Sequence, residues 1–230
     1  MREWTACAVF LVAVCSILPA DSHAQTVATV SQTAPRIVMV VPANAFRDEE
    51  FELPFKHFGS HATVIVASTK LGVITGMMGH KAKSEMLISD IDVGKLDALV
   101  FIGGVGARQY WRDPKAHKLV RQAAAEEKVL AAICISPVTL AYAGVLKGKR
   151  ATVFVSERGR LIEKGAKYTG EQLTIDGLIV TASGPKAAQQ FAEETLKLVI
   201  EQAKKKEEQL RAQEALEAVT PEATQDMSDG

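Results

Sequence analysis

The chain has 230 residues, with 27 lysines and arginines set against 27 aspartates and glutamates, and 47% of its residues are hydrophobic. Zero formal net charge gives no electrostatic basis for binding nucleic acid or an anionic membrane surface. That apolar content over this length is enough to bury one sizeable core, which excludes a disordered or fibrous chain and makes a single domain the expectation.

The chain opens on a segment that reads as a secretory signal peptide. Ala6 to Pro19 are almost wholly apolar, and Ser22-His23-Ala24 offers small residues at the two positions that a signal peptidase reads, so residues 1–24 are expected to be removed. The apolar run is shorter than the roughly 20 residues a spanning helix needs, so no stable membrane insertion is expected after cleavage. An exported protein, periplasmic or secreted, follows from this reading. Cleavage removes Cys7 and Cys15 and leaves Cys134 as the one thiol, so no intramolecular disulfide can form. A lone thiol in an oxidising compartment is exposed to oxidation unless it is buried or in use. Residues 25–35 are small and polar and read as a disordered leader.

From Arg36 onward, strand-like and helix-like segments alternate. Ile37 to Val41, Thr63 to Ala67, Ala98 to Ile102 and Val129 to Ile133 read as strands, with helices from Asp48 to Phe58, Pro114 to Glu126 and Val138 to Ala143. Strands rich in valine and isoleucine without polar alternation are buried on both faces, so the sheet is expected to be mostly parallel and covered by helices on each side. This is an α/β doubly wound sandwich of flavodoxin type, whose sites form at the carboxyl ends of the strands. Gly76 to His80 carries no phosphate-loop lysine pattern and reads as a hairpin turn or a dimer-contact segment. Later, Thr152 to Val155 is expected as another strand, and Asp176-Gly177 is a hairpin signal between Leu173 to Ile175 and Leu178 to Val180. Pro185 opens a helix with Phe191, Leu196, Leu198 and Val199 on its apolar positions. The domain is expected over 36–202, with 203–230 a charged helical extension followed by a disordered tail.

Cys134-Ile135-Ser136-Pro137 forms a tight corner between an apolar strand and a helix stopped at Gly144. A thiol at such a corner sits near free amides, which favour an anion and lower its pKa. The other reading of Cys134 is a buried small hydrophobe. Gly103 and Gly104 end a buried strand without side chains; with the amide of Ile135 they form an anion or oxyanion pocket beside the sulfur, or else a tight turn alone.

These residues resemble the ThiJ/PfpI superfamily, within the class I glutamine amidotransferase-like fold. Ala132-Ile133-Cys134-Ile135-Ser136-Pro137 is similar to its nucleophile elbow, Asp97 to Gly104 to its strand and Gly-Gly turn, Phe46 to Pro54 to its first loop and helix, and Thr181 to Pro185 to its closing strand-to-helix turn. The resemblance implies that Glu50, four residues before Pro54, approaches Cys134 and hydrogen-bonds to it in protonated form; the residue types alone also allow a surface charge in the acidic first turn of a helix. It further implies a homodimer.

The departures from the pattern bear on activity. Protease-like members carry histidine directly after the cysteine, where this chain has Ile135, and others use one near the end of the next strand, where it has Phe154. His57, His61, His80 and His117 are expected to be surface or partly buried polar residues. The expected function is oxidant or reactive-carbonyl chemistry at Cys134, with any glyoxalase or deglycase activity weak. The alternatives are a small-molecule binding module without turnover and a cysteine-dependent amidase or peptidase. The spacing of cysteine and histidine fits no metal site, and no cofactor is expected.

Overall fold

Valine, isoleucine and leucine in short runs, punctuated by glycine and proline, set the order of elements, and a computed structural model describes residues 34–219 of the chain. The expected signal peptide, all but the last two residues of the leader, and the tail from 220 to 230 lie outside the described residues. In chain order the elements are β1 (Arg36–Val40), β2 (Asn44–Phe46), α1 (Asp48–Gly59), β3 (Thr63–Ser68), β4 (Gly72–Gly76), β5 (Lys81–Ser84), β6 (Met86–Leu87), β7 (Ala98–Phe101) and α2 (Pro114–Ala125). There follow β8 (Val129–Ile133), α3 (Pro137–Tyr142), β9 (Arg150–Ala151), α4 (Arg158–Glu163), β10 (Lys167–Tyr168), β11 (Leu173–Asp176), β12 (Ile179–Ala182) and α5 (Ala188–Val219).

The main sheet has seven strands in the order β11-β12-β8-β7-β1-β3-β6. Every pairing in it is parallel except β11 with β12, which form the hairpin expected around Asp176-Gly177. Gly177 takes a φ of 61° there, the left-handed region that a glycine occupies at low cost. The five long parallel strands run in the flavodoxin-like sense, with the chain order reversing between β1 and β7. The crevice that such a reversal opens at the carboxyl ends of the strands is where ligands bind in open α/β sheets.

Successive residues of each strand face opposite sides, and both sides are dry. Ile37, Met39, Val100, Ala131 and Ile133 pack with Phe51 and Phe58 of α1 and with Phe191 and Leu196 of α5. Val38, Val40, Leu99, Leu130 and Ala132 pack instead with Leu119 and Val120 of α2 and with Leu140 of α3. Burial on two faces explains why these strands show no polar alternation. Beyond the sheet α5 continues as unbroken helix, with Leu210 and Leu216 60% and 69% exposed.

One stretch differs from what the sequence suggests, and another takes the hairpin reading. Thr152 to Val155 is not a strand: only Arg150–Ala151 pairs, with β10, and the chain then turns across the top of the sheet. The Thr152 amide donates to Thr181 Oγ1 (3.0 Å) and the Phe154 amide to the carbonyl of Cys134 (2.8 Å), so these two amides are withdrawn from any ladder. Gly76 to His80 is the turn of an antiparallel β4–β5 hairpin, which joins β2 in a separate three-stranded sheet. The carboxylate of Asp48, the first residue of α1, holds that turn by accepting from the amides of Met78 (2.8 Å) and His80 (2.9 Å). Burial alone raises the Asp48 pKa, but these amides outweigh it and hold the carboxyl below its usual range.

Asp48→Ala removes two charge-assisted bonds to the backbone of a half-exposed turn and is expected to lower unfolding stability by about 1–3 kcal/mol in urea titrations at neutral pH. Because the folded pKa lies below the unfolded one, this contribution is present above the usual carboxylate range and is lost as pH falls. Wild type and variant should therefore converge in strong acid, and a constant difference from pH 7 downward would show that packing, not charge, anchors the turn.

Candidate active site

Three strand ends converge at the crevice: the segment after β1 runs through β2 to Arg47 and to Glu50 in the first turn of α1, β7 leads into Gly103-Gly104, and β8 leads into Cys134. Cys134 has a φ of 63°, a conformation that costs a non-glycine residue about 1–2 kcal/mol. The surrounding bonds hold it there. Its amide donates to Ala182 O (2.9 Å) and its carbonyl accepts from Phe154 N (2.8 Å). Ser136 Oγ donates to Ile102 O (2.8 Å), and Trp111 Nε1 donates to Ile135 O (3.1 Å). The sharp turn at the end of the strand leaves the sulfur facing a cavity of about 390 Å³.

Glu50 lies at the floor of this cavity, fully buried, with neither carboxyl oxygen in a hydrogen bond of good geometry. A Cβ built on Gly103 would collide with Glu50 Oε2 and would lie 2.5 Å from Cys134 Cβ, so the missing side chain is what lets carboxyl and cysteine share the space. The Cys134 thiol and the Gly103 amide lie near enough to pull the titration of Glu50 downward, which places the carboxyl beside both although it is formally bonded to neither. Gly104, at φ 93°, lies under the 45–47 loop, where a Cβ would strike Arg47 N and Ala45 O. Gly103, Gly104 and Ile135 thus all surround the Cys134–Glu50 pair: Gly103 faces the carboxyl, while the amides of Gly104 and Ile135 face the sulfur.

Burial pushes the Glu50 carboxyl up to about 8, against the opposing pull of the Cys134 thiol and the Arg47 guanidinium. The Cys134 thiol is pushed up to about 12, first by burial and then by the charge Glu50 carries once ionised. The amides of Gly104 and Ile135 act in the expected direction but are outweighed. The sequence-based expectation of a depressed thiol pKa is therefore corrected. Below about pH 8 the pair is a thiol beside a neutral carboxyl, and the first proton it releases comes off near 8.

The rest of the wall is mostly apolar, with charged groups at its edge. Met77, Val105, Phe154 and Pro185 line it together with Arg47, Arg108, Ser156 and Glu157. Phe154 stands at the mouth, 41% exposed, and none of the described histidines lines the cavity. His80 pairs instead with Glu52 (2.6 Å), and His117 Nε2 contacts Trp111 O (2.8 Å). Arg47, Arg108, Trp111 and Glu157 carry no sequence signal as site residues. They stand apart from the elbow motif, and only the fold brings them to it. Among the described residues no cluster of acidic, histidine or cysteine side chains could hold a metal ion.

Comparison with known proteins gives a consistent result. The model of the DJ-1/PfpI family matches residues 35–198. An uncharacterised protein of Methanocaldococcus jannaschii is 38% identical over 168 residues, covering 71% of this chain and 82% of that protein. A protein of Pyrococcus furiosus named deglycase PfpI is 30% identical over 163 residues, covering 70% of this chain and 98% of that one. The crystal structure of a ThiJ/PfpI domain protein from Brachyspira murdochii superposes with a TM-score of 0.72 at 28% identity, covering 74% of this chain and 98% of that one.

A carboxyl raised from 4.5 to about 8 by folding makes stability pH-dependent in a defined direction. Its contribution is fully present below the unfolded value and is lost as pH rises through the folded one. At about 1.4 kcal/mol per pK unit, several kcal/mol should disappear between about pH 4.5 and pH 8. Glu50→Gln, neutral at every pH, should abolish that fall, so denaturant midpoints of wild type and variant should diverge in favour of the variant as pH rises. Parallel curves across this range would place Glu50 in contact with solvent.

Proposed function

This chain belongs to the DJ-1/PfpI family, and from that premise we propose that it is an exported protein in which Cys134 reacts with small oxidants and reactive carbonyls, with Glu50 as its proton partner. The observation that carries the reading is the fully buried Glu50 carboxyl, which lacks a hydrogen-bond partner of its own beside the only thiol among the described residues. A buried carboxyl without a partner is costly unless a ligand or a reaction intermediate completes it.

With a pKa near 8, Glu50 suits both halves of a proton transfer at ordinary pH. As carboxylate it takes the thiol proton while sulfur attacks, which supplies the base that no histidine provides. As carboxylic acid it then donates to an oxygen carried on the sulfur. With peroxide, sulfur attacks one peroxide oxygen, the O–O bond breaks, and water leaves, giving a sulfenic acid; a second peroxide gives the sulfinic acid and a second water. With an aldehyde, sulfur adds to the carbonyl carbon, and the carbonyl oxygen, facing the amides of Gly104 and Ile135, takes up the proton held by Glu50. The deglycase name of the Pyrococcus furiosus relative supports the carbonyl branch. Phe154 at the mouth supports a second reading, a binding module in which the cavity holds a ligand without turnover.

Export is proposed from the apolar run Ala6 to Pro19 followed by Ser22-His23-Ala24. N-terminal sequencing of the protein from its native compartment should begin at Gln25; native protein beginning at Met1 would overturn this part. For the chemistry, intact mass spectrometry after graded peroxide should show an adduct of two oxygen atoms at Cys134, reached more slowly in Glu50→Asp. Methylglyoxal turnover should be weak and absent in Cys134→Ser. Turnover that survives that substitution would show that the chemistry lies elsewhere.

A further inference from the structure

The charges around the cavity do not cancel. Arg47 is matched by Glu49, at 2.7 and 3.0 Å. Glu50 is neutral below about pH 8. Glu157 offers one carboxylate to two guanidiniums: Arg160 takes it at 2.7 Å, and Arg108 stands off at 3.9 Å with 62% of its side chain exposed. One positive charge is therefore left over at the mouth, on Arg108. Its place is set by a cation–π contact, because the guanidinium lies 5.5 Å from the centre of the Trp111 ring, which Arg160 also approaches at 4.9 Å. Trp111 is in turn tied to the elbow through the carbonyl of Ile135. Arg108 is thus held in register with the sulfur by a ring and one hydrogen bond.

We propose that Arg108 makes the Cys134 cavity selective for small thiol-reactive molecules bearing a carboxylate, such as short 2-oxo or aldehyde acids, over neutral molecules of the same size. This rests on the reactive-thiol reading above and names its substrate class. A guanidinium presents parallel N–H donors that match the two oxygens of a carboxylate. Of the remaining lining, Met77, Val105, Phe154 and Pro185 are apolar, the Ser156 hydroxyl already donates to Glu157 (3.1 Å), and Glu157 is held by Arg160, so neutral compounds find no comparable anchor. Arg108 acts on specificity by binding the end of the molecule away from the reacting carbon.

Iodoacetate and iodoacetamide are a matched pair of probes, nearly equal in size and differing in charge. In each reaction sulfur displaces iodide, a C–S bond forms, and the thiol proton is released. The measurement is the ratio of second-order rate constants, iodoacetate over iodoacetamide, at Cys134 by peptide mass spectrometry, divided by the same ratio for free cysteine in the same buffer. A unit charge a few ångströms from a guanidinium at the surface is expected to raise this normalised ratio about fivefold in wild type at low salt. R108Q should bring it to one or below, R108K should keep most of it, and added salt should compress it. A purely structural role for Arg108 would change both rates together and leave the ratio alone. A wild-type ratio of one, or an equal ratio in R108Q, with both reagents still modifying Cys134, overturns the selectivity but leaves the reactive thiol standing. Failure of either reagent to modify Cys134 in the folded protein overturns the reactive thiol and the selectivity together.

Discussion

The site depends on the backbone of one residue. At the end of β8 the chain turns through a left-handed conformation at Cys134, φ 63°, and that turn lifts the sulfur out of the sheet and over Gly103 and Gly104. The strain is small beside the bonds around it: the amide and carbonyl of Cys134, the Ser136 hydroxyl and the Trp111 indole all bind neighbouring backbone. These partners come from β12, from the segment after β9, from the end of β7 and from the loop before α2. Parallel pairing of β8 with both β7 and β12 is what brings them to one spot, so the fold and the elbow are aspects of a single constraint.

Within that frame, electrostatics sets the chemistry. Two acidic groups share a dry space in which only one charge is tolerable, and the matched arginine, Arg47, moderates the cost without removing it. The amides near the sulfur favour a thiolate, but burial and the adjacent carboxylate outweigh them. A resting thiol follows, with a carboxyl poised near 8 to move its proton. On the proposed reading, this arrangement serves reactions in which sulfur gains an oxygen or a carbonyl carbon.

Much of the fold is legible in the chain. The doubly buried strands, the Asp-Gly hairpin and the elbow follow from local sequence, because apolar runs and turn residues act over short distances. Glu50 can be singled out only by resemblance, since an acidic first turn looks alike whether it faces water or a core. Asp48, its near neighbour, has the sequence signature of a helix-dipole charge and is in fact buried as the anchor of the β4–β5 turn. Thr152 to Val155 misleads because β-branched residues favour strands, whereas Thr181 and Cys134 take the amides that a ladder needs. The direction of the Cys134 pKa is hidden for a related reason: the helpful amides are local and visible, but the burial and the carboxylate are products of the tertiary fold. Arg108 and Trp111 belong to the same class, remote from the elbow motif in sequence and adjacent to it in space.

The claim on which the account turns is that Glu50 and Cys134 titrate as neighbours in a buried site, and thiolate absorbance followed against pH reads this directly, with Cys134→Ser as the blank. Wild type should show its thiolate well above the ordinary range of about 8.5 for free cysteine. Glu50→Gln should lower that pKa, because the opposing negative charge is gone while the Gly104 and Ile135 amides remain. A wild-type thiolate present at neutral pH, or a titration identical in the two proteins, would contradict the account.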